Sequence, residues 1–307
     1  MPRIYFAPVV ACVCLAAPVS RRAVITVDCD MGTTIAGALA RAKPADTVLV
    51  TGTCHESVQI PAELVRVTLD GQGRATIEPP KGPPAGPTSH AIFVRGRGIT
   101  ITRFRITGGV DGVHLSGPAN AVIDGNVITE NSGRGIHLDK SSVAQIVNNV
   151  ISDNGGVGIH VTEQSYARIG FLIPPDEIVR PNTLRSNRGG GILVDRGSGA
   201  WIVGNAILEN HGAAIVIDRG SQADIVANLI NGHSGDGILV TRNSGVNLQS
   251  EGSRRLEGPN RTDSAAQNRG FGIKCSIGGY VAGPRGTLSG IQGATNFDAA
   301  CVDHVTN

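Results

Sequence analysis

Short apolar runs alternate with glycine- and asparagine-rich breaks along the chain, and from residue 113 the alternation becomes periodic. A four-residue motif recurs seven times, as GVHL, GIHL, GIHV, GILV, AIVI, GILV and GIKC. Its branched residue falls at Val113, Ile136, Ile159, Ile192, Ile215, Ile238 and Ile273. The steps between copies are 23, 23, 33, 23, 23 and 35 residues. A constant period broken only by whole insertions marks a stacked solenoid, in which each repeat buries its apolar face against the next. The coil from Ser142 to Glu163 holds three short Val/Ile-rich runs, Val143 to Val147, Val150 to Ser152 and Gly158 to Thr162. Three strands per period predict an all-β, three-sided parallel β-helix of about ten coils. No window of this length keeps a 3.6-residue period without Gly or Asn breaks, which excludes an αα solenoid.

The breaks are as regular as the strands. Asn126, Asn149, Asn182, Asn205 and Asn228 each precede the next motif by ten residues; Asn131, Asn154, Asn187, Asn210 and Asn268 precede it by five. Asn tolerates left-handed backbone angles, and stacked amides bond along the stack as ladders. Ser142, Ser165, Ser198, Ser221 and Ser244 form a third column after the motif strand. The three columns read as structural.

Composition fits this picture. Forty-two glycines and 3% aromatics suit tight corners around an aliphatic core, and a net charge of +2 gives no field calling for nucleic acid or an anionic membrane. The start of the chain, with Arg3 followed by an apolar run from Val9 to Val19, is too short to span a bilayer and reads as a signal peptide over residues 1–22. A secreted or periplasmic location follows from that reading. Residues 23–307 form one domain, with an N-terminal cap and first coil at 23–60 and a C-terminal cap at 270–307. Within the N-terminal cap, Thr33 or Thr34 can cap a short helix bearing Ile35 and Leu39, a plug for the open end of the core. Beyond the signal peptide four cysteines remain, two near each end, and the predicted disulfides are Cys29–Cys54 and Cys275–Cys301. No CxxC spacing exists, and no metal ligands are assigned.

Strand alternation sends Ile136 and Leu138 inward and His137 and Asp139 outward. Across the repeats this yields an outward column His114, His137, His160, Leu193, Val216, Leu239 and Lys274. A second column follows, Ser116, Asp139, Thr162, Asp195, Asp218, Thr241 and Ser276. Lys140, Glu163, Arg196, Arg219 and Arg242 flank the second column. Rungs lie about 4.8 Å apart, so Asp195 and Asp218 are expected to face each other as like charges, with the acidity of one weakened. His137 near Asp139 has the makings of a general base, and the arginines can neutralise an acidic ligand. The plain alternative is that such columns only solubilise an exposed face and exchange charges across rungs.

With these Asn columns and GIHL strands, the chain over roughly 33–290 resembles the right-handed parallel β-helix superfamily of pectate lyases, polygalacturonases, mannuronan epimerases and phage tailspikes. The resemblance implies that the GIHL strands form the first sheet, the usual substrate face. It does not extend to any enzyme's motifs. There is no Asp-Asp pair, Gly232-His233-Ser234 departs from Gly-His-Gly, and Asp-Pro-His and Arg-x-Pro-x-x-Arg are absent. The expectation is therefore an exported, monomeric protein that binds an extended, acidic polysaccharide along this sheet, with cleavage or epimerisation by a lyase, hydrolase or epimerase as the catalytic form. Expected catalytic residues are His137, Asp139, Asp195 and Asp218. Expected binding residues are His114, His160, Arg196, Arg219 and Arg242. No cofactor is assigned; Ca²⁺ is left open, with no dedicated loop for it. The rival expectation is a non-catalytic scaffold. Two insertions, roughly 168–181 and 245–263, discriminate between them. Carboxylates of perturbed acidity bounded by the insertions favour a site, whereas insertions on the far side favour a scaffold.

Overall fold

The structure, a computed structural model, describes residues 22–81, 90–172, 178–249 and 258–306. The predicted signal peptide, apart from its last residue, lies outside the described residues, as do Arg254, Arg255 and Glu257 of the second insertion. The motif strands pair in parallel, one coil per step. Val113 lies opposite Ile136, Ile136 opposite Ile159 and Ile159 opposite Ile192, continuing through Ile215 and Ile238 to Ile273. This sheet has ten strands. Beyond the seven motif copies it includes Val58–Ile60, Ile92–Val94 and Gly293–Phe297. The other two strands of each coil stack in the same way, as Val143–Val147 does on Tyr166–Ile169 and Val150–Ser152 on Thr183–Arg185.

The inward half of each motif is dry. Ile136, Leu138, Ile159, Val161, Ile192 and Val194 all belong to one continuous buried aliphatic core. Each such side chain contributes about 1.5–3 kcal/mol by leaving water, and the contribution requires a neighbouring coil on either side. The corners are held by the expected ladders. Asn126 donates to Asn149 Oδ1 from both its backbone N–H (2.9 Å) and its side-chain amide (3.1 Å). The pattern repeats through Asn182, Asn205 and Asn228 and ends on Asn260. In the second ladder Asn131, Asn154, Asn187 and Asn210 are joined by His233, which takes the position of an Asn: its Nδ1 accepts the Asn210 backbone N–H (3.2 Å). Serine hydroxyls accept from the backbone of the coil before, as Ser165 Oγ does from Ser142 N–H (3.1 Å).

The predicted plug helix and both predicted disulfides are present. Thr34 is the cap residue of the helix Ile35–Leu39, and its hydroxyl accepts the Gly37 N–H at 3.1 Å. Glu56 completes the cap by accepting from Ile35 and Ala36 N–H at 2.7 and 3.0 Å. Ile35, Ala38 and Leu39 are buried against the first coils. Disulfides join Cys29 to Cys54 and Cys275 to Cys301. No helix among the described residues is long and apolar enough to cross a membrane.

Candidate functional site

The three outward histidines stack in register on adjacent rungs, His114 opposite His137 and His137 opposite His160. Ring centroids are 4.2 and 5.2 Å apart. Phe93 continues the column below His114, edge-on at 5.2 Å. The face is not the open surface that alternation suggests. His114, His137 and His160 are only 8, 8 and 9% exposed, because each ring covers the next and turn residues close over the flank.

Chief among those turn residues is Asp111, 1% exposed. Its Oδ1 accepts the Arg134 backbone N–H at 2.9 Å. Its Oδ2 lies 3.2 Å from His137 Nδ1, 3.4 Å from His90 Nδ1 and 3.5 Å from Arg134 Nη1. Burial pushes the Asp111 carboxyl up, but the donors from His137 and Arg134 outweigh it and hold the group well below the usual range. His90 meets His114 edge-on, with Nε2 3.0 Å from His114 Nδ1. Burial, reinforced by His114, pulls His90 down to about 4. Burial, with the neighbouring His137, does the same to His160. His137 is lowered by burial in spite of Asp111. At neutral pH these rings are uncharged. Asp139 Oδ2 stands 3.1 Å from His114 Nε2. Burial raises the Asp139 carboxyl, yet its contacts with His114 and Ser116 bring it to about 2. Two donor sets have metal-ligand proximity, His90–Asp111–His114 and His114–His137–Asp139, each with donor atoms within 4.8 Å of one another.

Further along the column the structure departs from the expected acid pair. Asp195 and Asp218 do not face each other bare, because an arginine stands between them. Arg219 Nη1 donates to Asp195 Oδ2 at 3.0 Å, and Arg242 Nη1 to Asp218 Oδ2 at 2.8 Å. His160 Nε2 lies 3.1 Å from Asp195 Oδ1. Burial raises the Asp195 carboxyl, but Thr162 and His160 more than offset it, and its net shift is downward. Arg196 is 4.0 Å from Asp195 and reaches Glu163 at 3.4 Å. This end of the column is an interleaved ladder of opposite charges.

The opposite end is richer than the sequence reading expected. A cleft of about 520 Å³ is lined by Phe93, Arg95, Arg97, Ser116 and Lys140 among others, and Phe93 meets the His114 ring edge-on. Arg95, Arg97 and Lys140 are exposed, and no ion pair of Arg95 or Arg97 occurs among the described residues. Sequence reasoning missed Arg95, Arg97, His90 and Asp111. The available signal was Ala91-Ile92-Phe93-Val94, an unrecognised copy of the motif 21 residues before Val113. Asp111 offered less, since its equivalents two residues before each motif are Arg134, Val157, Gly190, Ala213, Asp236 and Phe271. Both insertions leave the coil between its second and third strands, the first after Tyr166–Ile169 and before Thr183–Arg185, the second after Gly245–Asn247. That corner does not border the histidine face.

The family described as right handed beta helix region matches residues 90–253. No curated protein sequence matches the chain. Among solved structures, pectate lyase Pel9A is similar over 92% of this chain and 80% of its own, at 13% identity and a TM-score of 0.59. Bacteriophage CBA120 tailspike protein 2 is similar over 83% of this chain and 39% of its own enzymatically active domain, at 12% identity and a TM-score of 0.52. The Azotobacter vinelandii mannuronan C-5 epimerase AlgE6 A-module is similar over 89% and 93%, at 17% identity and a TM-score of 0.48. At these identities the likeness is one of fold.

Proposed function

The chain belongs to the right-handed β-helix family, and from that premise we propose that it is an exported protein that binds an extended polyuronate along its histidine-bearing sheet and acts on it by abstracting a sugar-ring proton, as a lyase or epimerase. One observation carries this reading: a cleft holding Arg95, Arg97 and Lys140 is walled by Phe93, whose ring meets those of His90 and His114 at the foot of the histidine column. The C5 proton of a uronate becomes removable when its carboxylate is neutralised, which is work for the three cations. The acceptor must be uncharged near pH 7, which is the state burial imposes on His90, His137 and His160. Elimination of the C4 substituent then yields an unsaturated product, and reprotonation from the opposite face yields the epimer. Phe93 offers the cleft an apolar wall for a sugar face. Asp195, Asp218, Arg219 and Arg242 lie outside the cleft and serve the fold, with each charge matched by the next rung. The two disulfides are compatible with an oxidising compartment.

The test is incubation with pectate, alginate, hyaluronan and neutral glucans, following unsaturated-product absorbance, reducing ends and C5 configuration. Activity on a polyuronate that is lost in His137→Ala and weakened in Arg95→Ala/Arg97→Ala supports the reading. Binding and turnover that are absent for every polyuronate with the fold intact refute it. A non-catalytic scaffold is the second reading, and the placement of both insertions away from the histidine face favours it.

A further inference from the structure

Asp139, His114, His90 and Asp111 form a chain of three contacts. Asp139 Oδ2 faces His114 Nε2 at 3.1 Å, His114 Nδ1 faces His90 Nε2 at 3.0 Å, and His90 Nδ1 faces Asp111 Oδ2 at 3.4 Å. Each contact joins two atoms that attract only if something positive lies between them. Two neutral imidazoles carry one N–H apiece. Whichever tautomers are chosen, two protons serve three contacts, and one pair of lone-pair-bearing atoms is left face to face. His114 Nε2, His90 Nδ1 and Asp139 Oδ1 are in fact buried with no hydrogen-bond partner. A mismatch of this kind between buried acceptors is costly unless a cation fills it.

We infer that the gap beside His114 is a binding site for one divalent transition-metal ion of the zinc class, held by His114 Nε2, Asp139 and His137. The donor atoms of these three lie within 4.8 Å of one another. The 3.1 Å between His114 Nε2 and Asp139 Oδ2 is close to the edge of a tetrahedron with bonds of about 2.0–2.1 Å. His114 and His137 stack at 26° with ring centroids 4.2 Å apart. The outer contacts suit ligands. His137 Nδ1 is tied to the Asp111 carboxylate at 3.2 Å and His114 Nδ1 to His90, which leaves the Nε2 lone pairs for the metal, as in carboxylate–histidine–metal arrangements. The mixed imidazole and carboxylate set suits Zn²⁺ or Co²⁺ rather than the all-oxygen shell of Ca²⁺. Three protein ligands leave the fourth position of a tetrahedral ion open.

The test uses the full chain without an affinity tag, stripped by chelator. Co²⁺ titration is followed by its visible absorption, with Zn²⁺ in competition, and folding of every variant is checked by circular dichroism. One equivalent of Co²⁺ with a tetrahedral spectrum, displaced by Zn²⁺, is expected. Affinity should fall by at least a hundredfold in His114→Gln and Asp139→Asn, and by about 10–100-fold in Asp111→Asn, which acts through His137. Two outcomes overturn the inference: no stoichiometric binding by the folded protein, or binding that His114→Gln and Asp139→Asn leave unchanged. His137 cannot ligate an ion and act as the base at once, so the Co²⁺ titration reads this site, and polyuronate assays with and without chelator read the proposed activity apart from it.

Discussion

His233 stands where the second ladder elsewhere has asparagine, and it makes that ladder sensitive to acid. Its Nε2–H donates to the Ile207 carbonyl at 2.9 Å, and its Nδ1 accepts the Asn210 N–H at 3.2 Å. The residue is fully buried. Burial pulls its pKa from 6.5 down to about 4, although the contacts with Ile207 and Asn210 pull the other way. Between those two values the unfolded chain binds a proton at this position and the folded chain does not. Stability is therefore complete above pH 6.5 and is lost as pH falls toward 4. At about 1.4 kcal/mol per pH unit, the full loss is on the order of 3 kcal/mol, of which about 2 kcal/mol has gone by pH 5. His233→Asn removes the titration and restores an amide that can bond Asn210, the Ile207 carbonyl and Asn268 as its counterparts do. Urea unfolding of both proteins at pH 7.5 and pH 5, read by circular dichroism, isolates the effect. His90 and His160 shift in the same direction, so both proteins lose stability, and the variant should lose about 2 kcal/mol less. Equal losses would refute the assignment of a buried, uncharged His233.

Three further outcomes follow from the geometry. Asn182→Ala removes an acceptor that serves both the backbone and the side chain of Asn149 (3.0 Å each); leaving buried donors unmet should cost about 2–4 kcal/mol in urea unfolding, with Ser152→Ala at the adjacent strand as a milder comparison. Reducing Cys29–Cys54, which spans 25 residues, should lower stability by about 2–4 kcal/mol in thermal melts with and without reductant, and the N-terminal coils should gain hydrogen exchange before the middle ones. Arg95→Ala/Arg97→Ala should weaken polyuronate binding at least tenfold at low salt and flatten its salt dependence, while Arg219→Ala should leave binding within twofold; calorimetry at two ionic strengths measures both.

The repeat was legible because stacking forces equivalent positions into the same chemistry. Ile136, Ile159 and Ile192 must all be branched and apolar, and Asn149 and Asn182 must both offer an amide to the next coil. The charge ladder was half legible. Its columns were visible, but the acid pair was expected to stand bare, and the reach of Arg219 and Arg242 back across one rung depends on side-chain length rather than on period. The cluster around Asp111 was invisible for the opposite reason. It is built from residues that do not repeat: Asp111 and Arg134 share a column whose other members are unlike them, and His90 adjoins residues 82–89. A periodic reading sees what every coil needs and overlooks what only one coil has.

The ladders also say how such a molecule can change size. In the first ladder each Asn from Asn126 to Asn228 donates to the coil ahead and accepts from the coil behind, so the interface between coils is nearly the same all along the middle of the chain. A coil can be duplicated or removed as a block without creating a new kind of contact, provided the register of the columns is kept. Copying residues 205–227 in tandem would insert one more 23-residue coil between two others and lengthen the sheet by about 4.8 Å. The length of the face is thus an adjustable ruler, changeable one rung at a time, while the singular cluster near the N-terminal end stays where it is.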